Sequence, residues 1–355
     1  MNQVIGIIDI SDVEYDDTYL LTGCGGSESW TIYLSRELSK FNNTHVIVFC
    51  NCEQWHFDEL GVEWVPNSLL DSRLQYQQFD QIIISRLFEG VIKLIETSKC
   101  CKNVYIQSHD WGLNYWYSDE LRYKPYYEES AELKSLILKK IVALSEWHID
   151  SMIKECHIPR DMFTIIPNGV SDSVINSTVS THTIDHKILW SSRPERGCDI
   201  LCDLILPKVR RFIPDFEVDI ASYDPIQDRF KNRESEGINC LGKLGKSQLY
   251  DEMSKHAVWF YPSIYPETFN ITSIEAVLCG NMIVMPIQHG MATTFDIFKS
   301  IGLEEKFYNE YHVTDGNTEL AVNYAVKRIV DNIKEYHYPL NRTLREIMRC
   351  YVVKN

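Results

Sequence analysis

The amino-acid sequence predicts an α/β protein made of two doubly wound parallel sheets that face each other across a cleft. Three observations predict it. Short apolar runs alternate with segments of helical period in both halves, a polar, turn-rich stretch at 166–186 separates the halves, and the residues suited to chemistry fall just after the apolar runs. A chain of 355 residues is also too long for one ordinary core and suits two domains.

In the first half, "QVIGIID", "HVIVFC", "VEWV", "QIIIS", "NVYIQS", "KIVALS" and "FTIIP" read as strands, with "SESWTIYLSRELSK" and "SAELKSLILKK" as helices between them. Pro167, Asn168 and Gly169 then lead into a Ser/Thr-rich stretch, which puts a first domain at 1–170 and a linker at 171–186. A second domain at 187–335 repeats the alternation through "KILWSS", "EVDIAS", "INCLG", "AVWFYP" and "MIVMP". The tail from 317 reads as helices broken near Pro339, with a C-terminal helix at about 340–355 packing back on the first domain.

Composition narrows the function. With 45% hydrophobic and 24% charged residues the chain is an ordinary globular one, and 35 basic against 50 acidic residues, net −15, argues against a nucleic-acid partner. No run is long enough for a transmembrane segment, and "MNQVIGIIDI" reads as a strand instead of a signal peptide, so a cytoplasmic location is expected. The 11 cysteines show no zinc-knuckle spacing and suit buried, reduced thiols, with no metal site.

Four stretches carry candidate chemistry. "PETFNITSIEAVLCG" sets Glu267 in a loop after one strand and Glu275 about a turn into the next helix, which opens at Asn270 and stops at Gly280. That helix start offers unpaired N–H groups to an anion, so carboxylates beside it suit a ligand with hydroxyls and phosphates, such as a nucleotide sugar. "SSRPERG" puts Arg193 and Arg196 after "KILW", where two guanidiniums can neutralise a diphosphate; a solvated pair with Glu195 is the plainer alternative. "TGCGGSES" offers Gly25 and Gly26 before a helix start, although Glu28 stands where a dinucleotide fingerprint has its third glycine. "YIQSHDWG" places His109 and Asp110 at another strand end, followed by Trp111 and further aromatics that suit either a sugar platform or plain packing.

Together, "SSRPERGCDILCDLILPKVRRFIPDFEVDIAS", the E-x7-E element "PETFNITSIEAVLCG" and the Gly-Gly loop resemble the retaining GT-B glycosyltransferases of glycosyltransferase family 4, most strongly over 187–286. The resemblance implies a GT-B architecture of two Rossmann-like domains. It also implies transfer of a hexose-type sugar from a UDP- or GDP-sugar to an acceptor hydroxyl, with retention of configuration and no metal or other cofactor. Carried over by position, Arg193 and Arg196 clamp the donor diphosphate, with Arg196 where the family usually has lysine, and Glu275 accepts from the ribose. Glu267 lies near the donor sugar, with the backbone of Phe269, Asn270 and Ile271 beside sugar and phosphate. Gly242, Lys243 and Leu244 lie against the nucleobase, Gly25 and Gly26 against the phosphates, and His109 near the anomeric carbon; Asp110 and Trp111 face the acceptor.

The sequence departs from the family in two places. "PIQHGMATTFD" has the single Gly290 where relatives commonly carry Gly-Gly followed by an acidic residue, and the first domain has no basic amphipathic helix, so the carbohydrate or other hydroxyl acceptor is expected to be soluble. The competing readings are a nucleotide-sugar epimerase, a nicotinamide-dependent oxidoreductase, against which the broken glycine fingerprint argues, and a non-catalytic nucleotide-sugar-binding GT-B protein. Against the last, both arginines, both glutamates and the histidine are all in place.

Overall fold

The structure is a computed structural model that describes residues 3–87, 90–110, 130–171, 174, 185–263, 265–300, 308–311 and 318–335. The chain divides into two compact units. One comprises Met1–Tyr19 with Gly25–Asn168, and the other comprises Leu20–Cys24 with Gly169–Asn355. Most of the linker expected at 171–186 and all of the helix expected at about 340–355 lie outside the described residues.

The first unit is an eight-stranded sheet in the order β3-β4-β2-β1-β5-β6-β7-β8. Its strands are β1 (Gln3–Ile8), β2 (Thr44–Cys50), β3 (His56–Phe57), β4 (Glu63–Pro66), β5 (Gln81–Ser85), β6 (Val104–Gln107), β7 (Leu138–Ala143) and β8 (Phe163–Ile165). All neighbours pair in parallel except the edge strand β3, which is antiparallel to β4. Helices α1 (Gly26–Ser39), α2 (Leu70–Tyr76), α3 (Val91–Ser98) and α4 (Glu146–Cys156) make the crossovers or cap the edge. The strands are continuous apolar runs because both faces are covered: Ile7, Ile8, Val46, Ile47, Val48 and Phe49 are fully buried.

One expected element is different. "SAELKSLILKK" has helical spacing, yet the chain turns at 131–134 and enters β7 at Leu138. Pairing with β6 decides the matter: Leu138 joins the first unit's core as the opening residue of the strand read from "KIVALS", whose Ile141 and Ala143 lie in the same core. The two-residue β3 was not foreseen from sequence.

The second unit is a six-stranded, all-parallel sheet in the order β11-β10-β9-β12-β13-β14. Its strands are β9 (Asp185–Trp190), β10 (Glu217–Ala221), β11 (Ile238–Gly242), β12 (His256–Phe260), β13 (Met282–Pro286) and β14 (Tyr308–Tyr311). The helices are α5 (Leu206–Val209), which continues a π-helical turn at Ile200–Ile205, then α6 (Lys246–Lys255), α7 (Ile271–Leu278), α8 (Met291–Ser300) and α9 (Thr318–Glu335). Trp190, Trp259, Phe260 and Phe295 are fully buried in its core. Each described cysteine is a free thiol, and all but Cys240 are buried.

Strand order locates each unit's crevice. In the first sheet the chain runs outward from β1 through β2 to β4, then returns to start β5 on the other side of β1; in the second, β9 leads to β10 and β11 and the return starts β12 beside β9. At such a switch point the connections leave in opposite directions and open a gap at the carboxyl ends of the strands. The loops after β1 and β5, and those after β9 and β12, therefore border the two crevices.

Candidate active site

In the second unit the loop after β9 carries both arginines. Pro194 sits at the first position of a short 3-10 turn at Pro194–Arg196, and Gly197 ends it with φ 115, which favours glycine. Arg196 Nη1 donates to Glu267 Oε1 at 2.8 Å, and Tyr261 Oη donates to the same oxygen at 2.6 Å. The Arg196 guanidinium also lies over the Tyr265 ring, 4.6 Å from its centroid. Burial opposes the charge on Arg196, but Glu267 and Tyr261 outweigh it and raise the arginine's pKa; burial, then Glu267, raises that of Tyr261. This ion pair spans the β9/β12 switch point.

Arg193 reaches the other way. Its Nε lies 2.7 Å from Asp224 Oδ2, beyond the end of β10, and its guanidinium lies 5.6 Å from the centroid of the Tyr223 ring. Glu195, the partner suggested by sequence proximity, is only at 3.9 Å. Each arginine thus has a carboxylate partner from a distant loop, and the solvated-pair alternative fails for Arg196, whose side chain is 23% exposed.

The E-x7-E element folds as its residues dictate. Asn270 caps α7, its Oδ1 accepting from the Ser273 N–H at 2.8 Å, and the Ser273 hydroxyl returns a bond to the Asn270 carbonyl at 2.9 Å. The helix runs to Leu278 and ends before Gly280, whose φ is 93. Phe269 and Asn270 are buried at 6% exposure each and begin the turn that presents the first N–H groups of α7. Glu267 is nearly buried, and its carbonyl accepts from the Gly290 N–H at 2.8 Å.

Glu275 is 1% exposed. Lys246 Nζ lies 2.7 Å from its Oε1, and Tyr250 Oη donates to the same atom at 2.8 Å. Its Oε2 is buried and accepts no hydrogen bond from the protein. A buried acceptor left without a donor costs about 1–3 kcal/mol, so this oxygen is suited to a ligand hydroxyl. Lys246 and Tyr250 were missed by the sequence reading; a lysine and a tyrosine four residues apart at the start of a helix are too ordinary to signal it.

The loop that precedes them, Lys243 and Leu244, follows Gly242, the last residue of β11, which has φ 79. A side chain on Gly245, the N-cap of α6, would put its Cβ 2.1 Å from the Leu21 carbonyl oxygen, so this loop packs closely on the Leu20–Cys24 stretch of the same unit. The divergent loop after β13 is held at three points. Gln288 donates to the Ser263 carbonyl at 2.9 Å, His289 meets the Tyr265 backbone, and a Cβ on Gly290 would lie 2.0 Å from the Thr268 carbonyl. Only Gly290 is held to zero side chain by close approach, and His289, at φ 54, adopts the left-handed conformation that a second glycine would take.

In the first unit, His109 and Asp110 follow β6, and Gly25 is the N-cap of α1, which starts at Gly26. The His109 ring packs edge-on against Trp30 at 4.9 Å. Burial first, then the charge of Arg86 and the neighbouring His148, push its pKa well below the usual histidine value, so the ring is neutral near pH 7. His148 fixes the loop: its Nδ1 accepts from the Leu144 N–H at 3.2 Å, so its Nε2–H donates to the Asp110 carbonyl at 2.7 Å.

Arg86, after β5, is the residue that sequence reading overlooked here. Buried and at φ 67, it donates to Asp110 Oδ2 from Nε at 3.0 Å and to the Ser27 hydroxyl at 2.5 Å, with Glu28 at 3.8 Å and Asp9 at 3.7 Å. It ties the ends of β1 and β6 to the start of α1. Glu28 sits over Gly25, its Oε2 2.4 Å from where a Cβ would be, so the α1 start holds a carboxylate that Arg86 offsets. Trp111 lies outside the described residues. Among the described residues, Asp16, Asp17 and His56 bring potential metal-ligand atoms within 4.8 Å of one another.

No family model matches the sequence, and no curated protein matches it. Solved structures do resemble the fold. The pneumococcal O-GlcNAc transferase GtfA in complex with UDP and GlcNAc superposes with a TM-score of 0.68 at 11% identity, covering 99% of this chain and 96% of that one. WaaG, a glycosyltransferase involved in lipopolysaccharide biosynthesis, gives 0.64 at 12% identity over 99% and 95%. The catalytic domain of starch synthase IV from Arabidopsis thaliana, bound to ADP and acarbose, gives 0.63 at 13% identity over 98% and 95%. Over nearly the whole length of each, this chain therefore shares their fold, the GT-B arrangement of two parallel-sheet α/β units in one chain.

Proposed function

We propose that the protein is a glycosyltransferase that moves a sugar from a nucleotide-diphosphate sugar, a UDP- or GDP-sugar, to a hydroxyl of a soluble carbohydrate or other acceptor. The observation that carries this reading is the Arg196–Glu267 pair across the β9/β12 switch point, followed one helical turn into α7 by a buried carboxylate with one oxygen unengaged. That combination suits a ligand with a diphosphate and a sugar diol. Shared fold with proteins solved with UDP or ADP supports the same class of donor.

In this reading the C1–O bond to the diphosphate breaks, the acceptor oxygen bonds to C1 on the same face, and a phosphate oxygen takes the acceptor's proton, which retains configuration. Arg193 and Arg196 exchange Asp224 and Glu267 for the phosphates and stabilise the charge that develops on the leaving group, the task a metal performs in other transferases. The backbone of Phe269, Asn270 and Ile271 supports sugar and phosphate, and Gly242 to Leu244 lie against the base. His109, neutral, donates a hydrogen bond to the transferred sugar, with Gly25 and Gly26 near the phosphates and Asp110 and Trp111 toward the acceptor.

The test is the melting temperature of the protein in EDTA with uridine, guanosine and adenosine diphosphates and their sugars, beside Glu275→Ala. A ligand at 100 times its dissociation constant adds about 2.7 kcal/mol, a shift of a few degrees. The expected outcome is a shift with one nucleotide family that Glu275→Ala removes; the absence of a shift with every nucleotide would overturn the reading.

A further inference from the structure

The two oxygens of Glu275 are treated differently by the protein. Lys246 and Tyr250 both reach Oε1, at 2.7 and 2.8 Å, while Oε2, equally buried, accepts nothing from the chain. The two donors are four residues apart on α6 and so share one face of that helix, with Lys246 in its first turn and Tyr250 buried one turn on. Nζ supplies charge and the phenol supplies direction. Together they leave the carboxylate no freedom to rotate about its Cγ–Cδ bond without losing two hydrogen bonds, which fixes where Oε2 lies and where its lone pairs point.

We propose that Lys246 and Tyr250 are positioning residues that lock Glu275 so that Oε2 reads the paired hydroxyls of a nucleotide's ribose, making the site selective for ribonucleotides over their 2′,3′-dideoxy counterparts. The inference rests on the reading of this site as a nucleotide-sugar site and adds what sets its sugar selectivity. A diol can donate to a fixed carboxylate oxygen, whereas a 2′,3′-dideoxyribose leaves that buried oxygen without a donor, and a site built around a buried polar group rejects the analogue lacking its partner. A carboxylate free to turn would meet either ligand halfway and discriminate poorly. Lys246 also closes the charge of the buried Glu275, so that a neutral diol can approach without bringing a counter-ion.

The experiment is calorimetric titration of the full chain with the nucleoside diphosphate that binds and with its 2′,3′-dideoxy analogue. It compares wild type, Glu275→Gln, Lys246→Met, Lys246→Arg and Tyr250→Phe, each checked for an intact melting transition. The quantity read is the ratio of the two affinities, which general destabilisation does not move because both ligands meet the same fold. The expected wild-type ratio is roughly tenfold to a hundredfold, from one charge-assisted hydrogen bond. It should collapse toward unity in Glu275→Gln and Lys246→Met, fall in Tyr250→Phe and be partly restored in Lys246→Arg. If Glu275→Gln abolishes the ratio while Lys246→Met and Tyr250→Phe keep it at the wild-type value, the positioning role is overturned and the ribose reading stands. A wild-type ratio of one overturns both.

Discussion

At the scale of single residues, the histidines His109 and His148 of the first unit both have pKa values held below the ordinary histidine value. Burial holds His148 down to about 4 from its ordinary 6.5, against the opposing pull of Asp110. In the unfolded chain the same ring titrates near 6.5, so the unfolded state binds the extra proton first. Stability is therefore complete above about pH 6.5 and falls as pH drops to 4, by roughly 3 kcal/mol for this group alone. His109 shifts in the same direction and adds to the loss. Urea unfolding between pH 7.5 and 4.5 should show the decline in wild type and a shallower one in His148→Asn; parallel profiles would refute the assignment. Arg196 makes a second prediction. Its pair with Glu267 forms without ligand, so Arg196→Ala should lower turnover more than tenfold while changing affinity for the free nucleoside little. Steady-state kinetics beside nucleoside titration will check this.

Among elements, the loops after β12 and β13 deserve to be treated as one body, since the 288–290 segment is bonded to 263–268 at each of its three residues. Gly290→Ala would drive a Cβ into the Thr268 carbonyl at 2.0 Å, a backbone atom that cannot move aside as a side-chain end would. The expected cost is about 1–3 kcal/mol in denaturant unfolding, with weakened donor binding because Glu267 and the start of α7 shift together. Asn270→Ala should cost about 1 kcal/mol by removing the cap of α7 and should likewise weaken phosphate contacts; an unchanged unfolding midpoint would show that the cap contributes nothing. The strands were legible because each buried strand is a continuous apolar run closed by turn residues, and α7 was legible from Asn270 at one end and Gly280 at the other. "KIVALS" was legible as most of β7, but the stretch at 130–139 before it was misread as a helix because its local spacing suits one and only pairing with β6, from Leu138 on, overrules that preference.

For the whole molecule, the residue types at the strand ends could be read in advance, but the pairings could not. Arg86 and Ser27 are 59 positions apart and Arg196 and Glu267 are 71, so their meeting depends on the order of strands within a sheet, which local pattern does not encode. Lys246 was hidden from Glu275, 29 positions on, in the same way. Glycines were more telling: Gly280, read as the stop of α7, has φ 93, and Gly290, read as the one glycine of the divergent loop, has no room for a Cβ beside the Thr268 carbonyl.

The assignment of Leu20–Cys24 to the second unit has a consequence for how the protein is made. On the ribosome these residues emerge before most of the first unit, whereas the loop they pack against, around Leu244 and Gly245, emerges only after all of it. The second unit is therefore not a contiguous stretch of nascent chain, and its completion is a late, non-local closure of the kind that slows folding. A polypeptide beginning at Gly169 would lack one piece of its own fold. It should show faster amide exchange around β11 and α6 than the full chain, and supplying residues 20–24 in cis through a circular permutation should restore the protection.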